Sequence, residues 1–272
     1  MIIILKYLVL SKRVAYYDII EFTEGAANGL NELLQKIDDL QKVINSKRPL
    51  NEVEKKELKE YFAIGLTYSS NALEGNSLTI SETKVVLEDG LTVGGKPLKD
   101  ILEAVGHKKA YDFMYSLTKQ KKISEASIKQ LHKLFYQGID EENAGIYRKQ
   151  RVFISGSEYS VAPHDKIEPL MEEMLTELNE RRRIIHPVVF AAELHQKFVY
   201  IHPFVDGNGR VARLLMNMAL LQDGYPIVVI PPICRSEYIS ALEKGHETPN
   251  VFMQFIMESV MESQRDYIRL IG

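Results

Sequence analysis

Over most of the chain, apolar residues return every three or four positions, the spacing of a helix with one buried face. In 28–47, Leu30, Leu33, Leu34, Ile37, Leu40, Val43 and Ile44 form such a stripe between charged residues, and Pro49 stops it. A stripe of this kind can be an oligomer seam, but over so few turns it predicts a face packed on its own domain. Asn51 and Glu54 have the spacing of a capping box and open a second helix through Tyr61, Phe62 and Leu66 towards Gly75-Asn76. Thr79 and Glu82 repeat the pattern and predict a short helix that stops before Gly90. Further helices are predicted over 98–117, starting near Pro97, over 128–136 after a Ser124 cap, and over 166–180. In 191–201, Ala192, His195, Phe198 and Val199 share one face, and Pro203 discourages continuation. Val211, Leu214, Leu215, Met218 and Leu221 restore the helical period until Gly224. Ile227 to Ile230 is a short β-like run closed by Pro231-Pro232, and helix returns over 235–242 and 251–268.

One stretch breaks the helical pattern. Tyr147-Arg148 leads into Val152-Phe153-Ile154, a Ser155-Gly156-Ser157 turn, and Tyr159-Ser160-Val161 before Ala162-Pro163, which predicts a β-hairpin. The expected class is therefore all-α, mainly helical, with one β-hairpin.

Composition narrows the function classes. A chain of 272 residues that is 45% hydrophobic can bury one sizeable core with a smaller appended segment. Its formal net charge of −3 gives no global polyanion-binding surface. The runs Lys119 to Lys122 and Arg181-Arg182-Arg183 read as solvated helix ends, so no nucleic-acid partner is expected. A lone Cys234 excludes an internal disulfide and fits a reducing compartment. The apolar start, Met1 to Leu10, is interrupted by Lys6 and is shorter than the roughly 20 residues of a membrane span. It reads as a strand or packed arm rather than a signal peptide, so a cytoplasmic protein with no membrane partner is expected.

Chemistry concentrates between the two apolar helices, in His202-Pro203-Phe204-Val205-Asp206-Gly207-Asn208-Gly209-Arg210 followed by Val211-Ala212-Arg213. Gly207 and Gly209 allow several backbone N–H groups to point into one concavity at a helix start, which favours phosphate. Arg210 and Arg213, three apart on the first turn, can bracket further phosphate oxygens. Asp206 is a hard oxygen ligand suited to Mg²⁺ between phosphates. His202 is the group of this set that exchanges a proton near neutral pH. The bland alternative is a helix-loop-helix with capping groups and a buried histidine.

His202 to Arg210 resembles the H-P-F-x-D-G-N-G-R signature of the Fic (Fido) family, whose members mostly transfer AMP from ATP to a hydroxyl side chain of a target protein. The resemblance extends over roughly 124–261. It implies a catalytic core there, a linking helix over 97–118 and a C-terminal helix to 270, preceded by an N-terminal helical regulatory segment over 1–95. It implies that His202 takes the hydroxyl proton, Asp206 holds Mg²⁺, Gly207, Asn208 and Gly209 cradle the α-phosphate region, and Arg210 and Arg213 bind the outer phosphates. The hairpin becomes a flap that holds the target by strand addition. Val152, Phe153, Ile154 and Ser155 of that flap, with Tyr238 of the Arg235-x-x-Tyr238 pattern, join the residues assigned to the nucleotide. Many relatives hold adenosine with an Asn where His246 stands here, which bears on base selectivity.

Glu74 adds control. An acid at the negative end of a helix dipole is unfavourable and calls for a compensating partner. Ser70-Asn71-Ala72-Leu73-Glu74-Gly75 resembles the inhibitory [Ser/Thr]-x-x-x-Glu-[Gly/Asn] motif found N-terminal to some Fic cores, which makes Ser70 and Glu74 candidate inhibitory residues. The implied protein is a Mg²⁺- and ATP-dependent protein adenylyltransferase, autoinhibited by Glu74, acting on Ser, Thr or Tyr of a target or of the chain itself, with a homodimer as one possible assembly. Removal of AMP, transfer of UMP or phosphocholine, and a non-catalytic nucleotide-sensing module stand as alternatives.

Two further patterns carry no chemistry. Gly90-Leu91-Thr92-Val93-Gly94-Gly95-Lys96 matches G-x-x-x-x-G-K, but Pro97 replaces the metal-binding hydroxyl and no strand precedes it. His195 and His202 lack a third ligand, so zinc is not expected. His195 reads as a packing residue, and His107 and His132 as surface or packing residues.

Overall fold

A computed structural model describes residues 24–272, so the expectation for Met1 to Leu10 lies outside the described residues. Helices α1 (Glu24–Ser46), α2 (Glu52–Ala72), α3 (Ile80–Lys84), α4 (Leu98–Ser116), α5 (Glu125–Tyr136), α6 (Ile167–Arg181), α7 (Pro187–Ile201), α8 (Asn208–Gln222), α9 (Arg235–Lys244) and α10 (Pro249–Leu270) follow in order. Both expected capping boxes form: Asn51 with Glu54 starts α2, and Thr79 with Glu82 starts α3, which a π turn extends over Val85–Asp89 to a left-handed Gly90.

α7 and α8 are the innermost pair. Both are buried nearly all round, and from Val188 to Phe198 only Lys197 is not buried. Such helices must be covered on every side. α8 lies against α7, α4 and α5, while α10 covers α7 and in turn carries α1. The α1 stripe is therefore a packed face: Leu30, Leu34, Ile37 and Ile44 are buried, and Gln264 of α10 donates to the Ile37 carbonyl at 3.1 Å. α2 packs on α4 and reaches α8, which brings its C-terminal end to the start of α8.

The fold expectation needs one correction. Among the described residues there is no strand, and 149–163 is an irregular loop rather than a β-hairpin. Ser157 N–H closes the predicted turn on the Ile154 carbonyl at 3.2 Å, but no ladder follows. The two arms bond elsewhere. The Arg148 guanidinium takes the carbonyls of Gln150 at 2.9 Å and Ala162 at 2.5 Å, Glu158 N–H donates to Glu243, and the Tyr159 hydroxyl to Glu247. Phe153 is 85% exposed, so the alternation that suggested strands has no core beneath it. A lone two-stranded ribbon without a buried face is marginal in water.

The β-like run Ile227 to Ile230 is also strand-free but buried. The Asn217 side chain on α8 serves as its ladder partner, accepting from Val228 N–H at 2.7 Å and donating to Val228 O at 3.0 Å. In the phosphate-loop look-alike, Lys96 is engaged with Glu82 at 3.1 Å.

Candidate active site

The loop from α7 to α8 is shaped by two left-handed residues. His202 ends α7 at φ 52°, ψ 60°, and among the described residues no other non-glycine has a positive φ. Such a conformation costs about 1–3 kcal/mol and persists only where its surroundings enforce it. Arg148 supplies that enforcement: its backbone N–H bonds Pro203 O at 2.9 Å and its Nε bonds His202 O at 2.8 Å. Gly207 starts α8 at φ 77°, where a Cβ would also lie 2.9 Å from the Phe135 ring.

His202 Nδ1 faces the Val199 carbonyl at 3.3 Å, which fixes the proton on Nδ1 and leaves Nε2 as the acceptor. Burial pushes its pKa down to about 4, against the raising effect of that carbonyl, and the Arg148 charge lowers it further. The imidazole is thus neutral at physiological pH and ready to accept a proton.

Asp206 Oδ1 accepts from Gly207 N–H at 2.6 Å and lies 3.3 Å from Arg210 Nη2, while Lys99 Nζ lies 3.9 Å from Oδ2 and the Tyr136 hydroxyl stands beside the carboxylate. Burial disfavours its charge, but Arg210 and the Gly207 N–H outweigh burial and hold the carboxyl below its usual range. Asn208 turns inward: its amide accepts from Phe204 N–H and donates to Phe204 O, both at 2.9 Å, so it staples the loop.

Arg213, 2% exposed, donates from Nε to Ser70 Oγ at 2.9 Å and from Nη2 to Ser70 O at 2.7 Å and Glu74 Oε1 at 2.8 Å. Its Nη1 donates to the Tyr238 hydroxyl at 3.3 Å, which in turn bonds His195 Nε2 at 3.0 Å. The structure therefore brings the buried Ser70, Arg213 and Tyr238 into one network with the partly exposed Glu74. The Glu74 carboxylate lies across the start of α8, where a Cβ on Gly209 would meet Glu74 Oε1 at 2.3 Å. Burial works against its ionisation, but Arg213 and then Arg210 overcome it and hold the carboxyl below its usual range. The mouth of the glycine loop thus holds an anion supplied by the end of α2, and Arg235 secures that end by donating to Leu73 O at 2.7 Å.

Val152, Phe153, Ile154 and Ser155 lie in the irregular loop over 149–163, and no hydrogen bond joins them to the 202–213 stretch. His246 is sandwiched between Tyr200 at 3.7 Å and Tyr159 at 4.0 Å.

Sequence patterning gave no sign of three buried side chains that shape the site. Besides Arg148, His132 stacks on Phe204 at 3.7 Å, accepts from Gly145 N–H at Nδ1 and therefore donates from Nε2 to Asp206 O at 3.1 Å. Glu103 of α4 lies 2.8 Å from Arg210 Nη1, in charge contact off the hydrogen-bond line. Each partner lies far away in sequence, where patterning cannot see it.

Residues 122–220 match the Fic/DOC family. The chain belongs to that family. Protein adenylyltransferase Fic of Drosophila grimshawi is 37% identical over 194 residues, which cover 70% of this chain and 40% of that protein. The chain thus spans less than half the length of that relative. A solved structure of Fic-1 from C. elegans superposes with a TM-score of 0.82 at 27% identity, covering 90% of this chain and 75% of that one. A Fic domain containing signalling protein from Bacteroides thetaiotaomicron superposes with a TM-score of 0.80 at 29% identity, covering 87% of this chain and 96% of that one.

The buried histidines make acid stability a test of this core. Burial pushes His107 and His195 down to about 3 and His132 and His202 to about 4. Unfolded histidines titrate near 6.5, so between that pH and the folded values the unfolded chain binds more protons and stability falls as pH falls. Each such histidine costs about 1.4 kcal/mol per pH unit in that window. The denaturation midpoint is expected to be flat above pH 7 and to drop steeply from about 6 to 4. Denaturant titrations across pH check this, and a flat midpoint through that window contradicts it.

Proposed function

We propose that the chain is a Mg²⁺-dependent protein adenylyltransferase that transfers AMP from ATP to a Ser, Thr or Tyr hydroxyl of a target protein or of itself, and that Glu74 holds it inhibited. The observation that carries this reading is a neutral, left-handed His202 beside a helix start and Arg213 that already hold a carboxylate. In this reading a core over 124–261 does the chemistry and the N-terminal segment over 1–95 governs it.

His202 Nε2 takes the proton of the attacking hydroxyl. The freed oxygen bonds to the α-phosphorus, the bond from that phosphorus to the oxygen bridging to the β-phosphate breaks, and pyrophosphate leaves. The first-turn N–H groups of α8, which have no partner within the helix, receive charge on the transferred phosphate. Arg213 takes the terminal phosphate once Glu74 has withdrawn.

Asp206 suits a metal that arrives with its substrate. Among the described residues no three His, Cys, Asp or Glu gather as ligands, so the protein offers one carboxylate oxygen, Oδ2. Mg²⁺ bound by one or two carboxylates, waters and phosphates fits that set. When bound, it neutralises charge on the phosphates as pyrophosphate departs.

Incubation with ATP labelled at the α-phosphate, alone and with candidate proteins, tests the reading. Label from the α position is expected on protein and label from the γ position is not. Asp206→Ala is expected to lower the rate and flatten its Mg²⁺ dependence together. An unchanged Mg²⁺ titration in that variant shows the metal is held elsewhere, and no protein-bound α label under any condition sinks the proposed activity.

A further inference from the structure

Outside the motif, one acid is buried against the site. Glu103 on α4 is 5% exposed, and a carboxylate so far removed from water must be paired. Its Oε1 lies 2.8 Å from Arg210 Nη1, and its Oε2 accepts from Asn76 Nδ2 at 2.8 Å. Asn76 follows Glu74 closely and is held in turn, donating from Nδ2 to Asp100 O at 3.0 Å and from its backbone to Asn71 O at 3.1 Å. On its other side the Arg210 guanidinium, over the Phe135 ring at 4.5 Å, reaches Asp206 through one nitrogen and one oxygen, Nη2 to Oδ1 at 3.3 Å.

We propose that Glu103 is a positioning residue: by holding Arg210 from the far side it limits that arginine to one oxygen of Asp206 and so keeps the other oxygen turned outward for magnesium. This rests on the reading of Asp206 as the metal ligand. The physical reason is competition. A guanidinium prefers to engage both oxygens of a carboxylate in a two-pronged pair. Glu103 and Asp206 bid for one fork, and because Glu103 and Phe135 fix it, Asp206 is met at Oδ1 alone. Gly207 N–H donates to the same oxygen at 2.6 Å, which locks the carboxylate plane. Oδ2 then faces the exposed Lys99 amine at 3.9 Å, which also lies 3.7 Å from Glu103 Oε1, and the Tyr136 hydroxyl stands beside the same carboxylate. Remove Glu103 and Arg210 turns onto both Asp206 oxygens, withdrawing the metal ligand. Asn76 fixes the other Glu103 oxygen, so the metal carboxylate is registered to the segment that carries Glu74.

Binding of α,β-methylene-ATP, which cannot release pyrophosphate, tests this in the full chain carrying Glu74→Gly, with Mg²⁺ and with EDTA, by calorimetry. The parent is expected to bind more tightly with Mg²⁺. Glu103→Ala is expected to remove about 10–100-fold of that gain, the range for lost partners of a metal ligand, with the EDTA affinity unchanged. Glu103→Gln, which keeps an oxygen for Arg210, is expected to lose less. Thermal melts verify folding of each variant. The full Mg²⁺ gain in whichever variants fold overturns the proposal, as does an equal loss with and without Mg²⁺, which marks a packing role. No gain in the parent instead removes the reading of Asp206 itself, before Glu103 enters.

Discussion

His202→Ala is expected to lower AMP transfer by about 10²–10⁴-fold, the usual loss when a general base is removed, while ATP binds nearly as before. The imidazole contacts only the Val199 carbonyl among polar groups, so its removal leaves the Asp206 carboxylate, the α8 start and Arg213 in place. Loss of rate without loss of binding is the mark of a group acting in the transition state. The depressed pKa adds a second signature. With the base neutral well above about 4, the transfer rate should not rise with protonation of His202 anywhere between pH 6 and 8, and should fall as pH drops towards that value. Single-turnover labelling and ATP titration of the variant decide the matter, since near-wild-type labelling by His202→Ala removes the assignment.

What could be read from the chain was what is local. His202, Asp206, Gly207, Gly209 and Arg213 fall within one loop and one helical turn, so their chemistry shows in order of sequence. Glu74 was legible for a different reason. An acid at a helix C-terminus conflicts with the dipole, and the conflict demanded a cation, which the fold supplies as Arg213 at 2.8 Å. The hairpin failed because alternation records which way side chains would point and not whether anything covers them. Phe153 is left in solvent, and Arg148 takes carbonyls a ladder would use. Ile227 to Ile230 failed in the opposite sense, being buried but paired with the Asn217 side chain instead of a strand. Arg148, His132 and Glu103 act through partners that only the helix packing brings near, and no spacing rule finds those.

The larger regulatory effect is expected from Glu74→Gly. The same Arg213 nitrogen, Nη2, serves Ser70 O and Glu74 Oε1, and the carboxylate stands over Gly209 at the start of α8. A terminal phosphate that seeks Arg213 therefore meets a like charge already seated, held ionised by Arg213 and Arg210. On the proposed reading, ATP entering under that restraint would lose its outer anchor, and its α-phosphate would sit off the line of attack. A misplacement near 1 Å costs about 10²-fold in rate, so Glu74→Gly should raise transfer and self-labelling by about that factor. The fold should be little affected. The Glu74 side chain is 35% exposed, and Arg213 keeps Ser70 and Tyr238 as partners when the carboxylate goes. The variant also separates the two directions of the reaction. If the native task is removal of AMP, with the Glu74 carboxylate aligning the attacking water, the substitution that speeds transfer will abolish removal from a pre-modified target. Labelled ATP and a pre-modified substrate, each given to wild type and to Glu74→Gly, read both outcomes. Equal transfer by the two proteins makes Glu74 an ordinary helix-end acid and leaves Arg213 free of the proposed restraint.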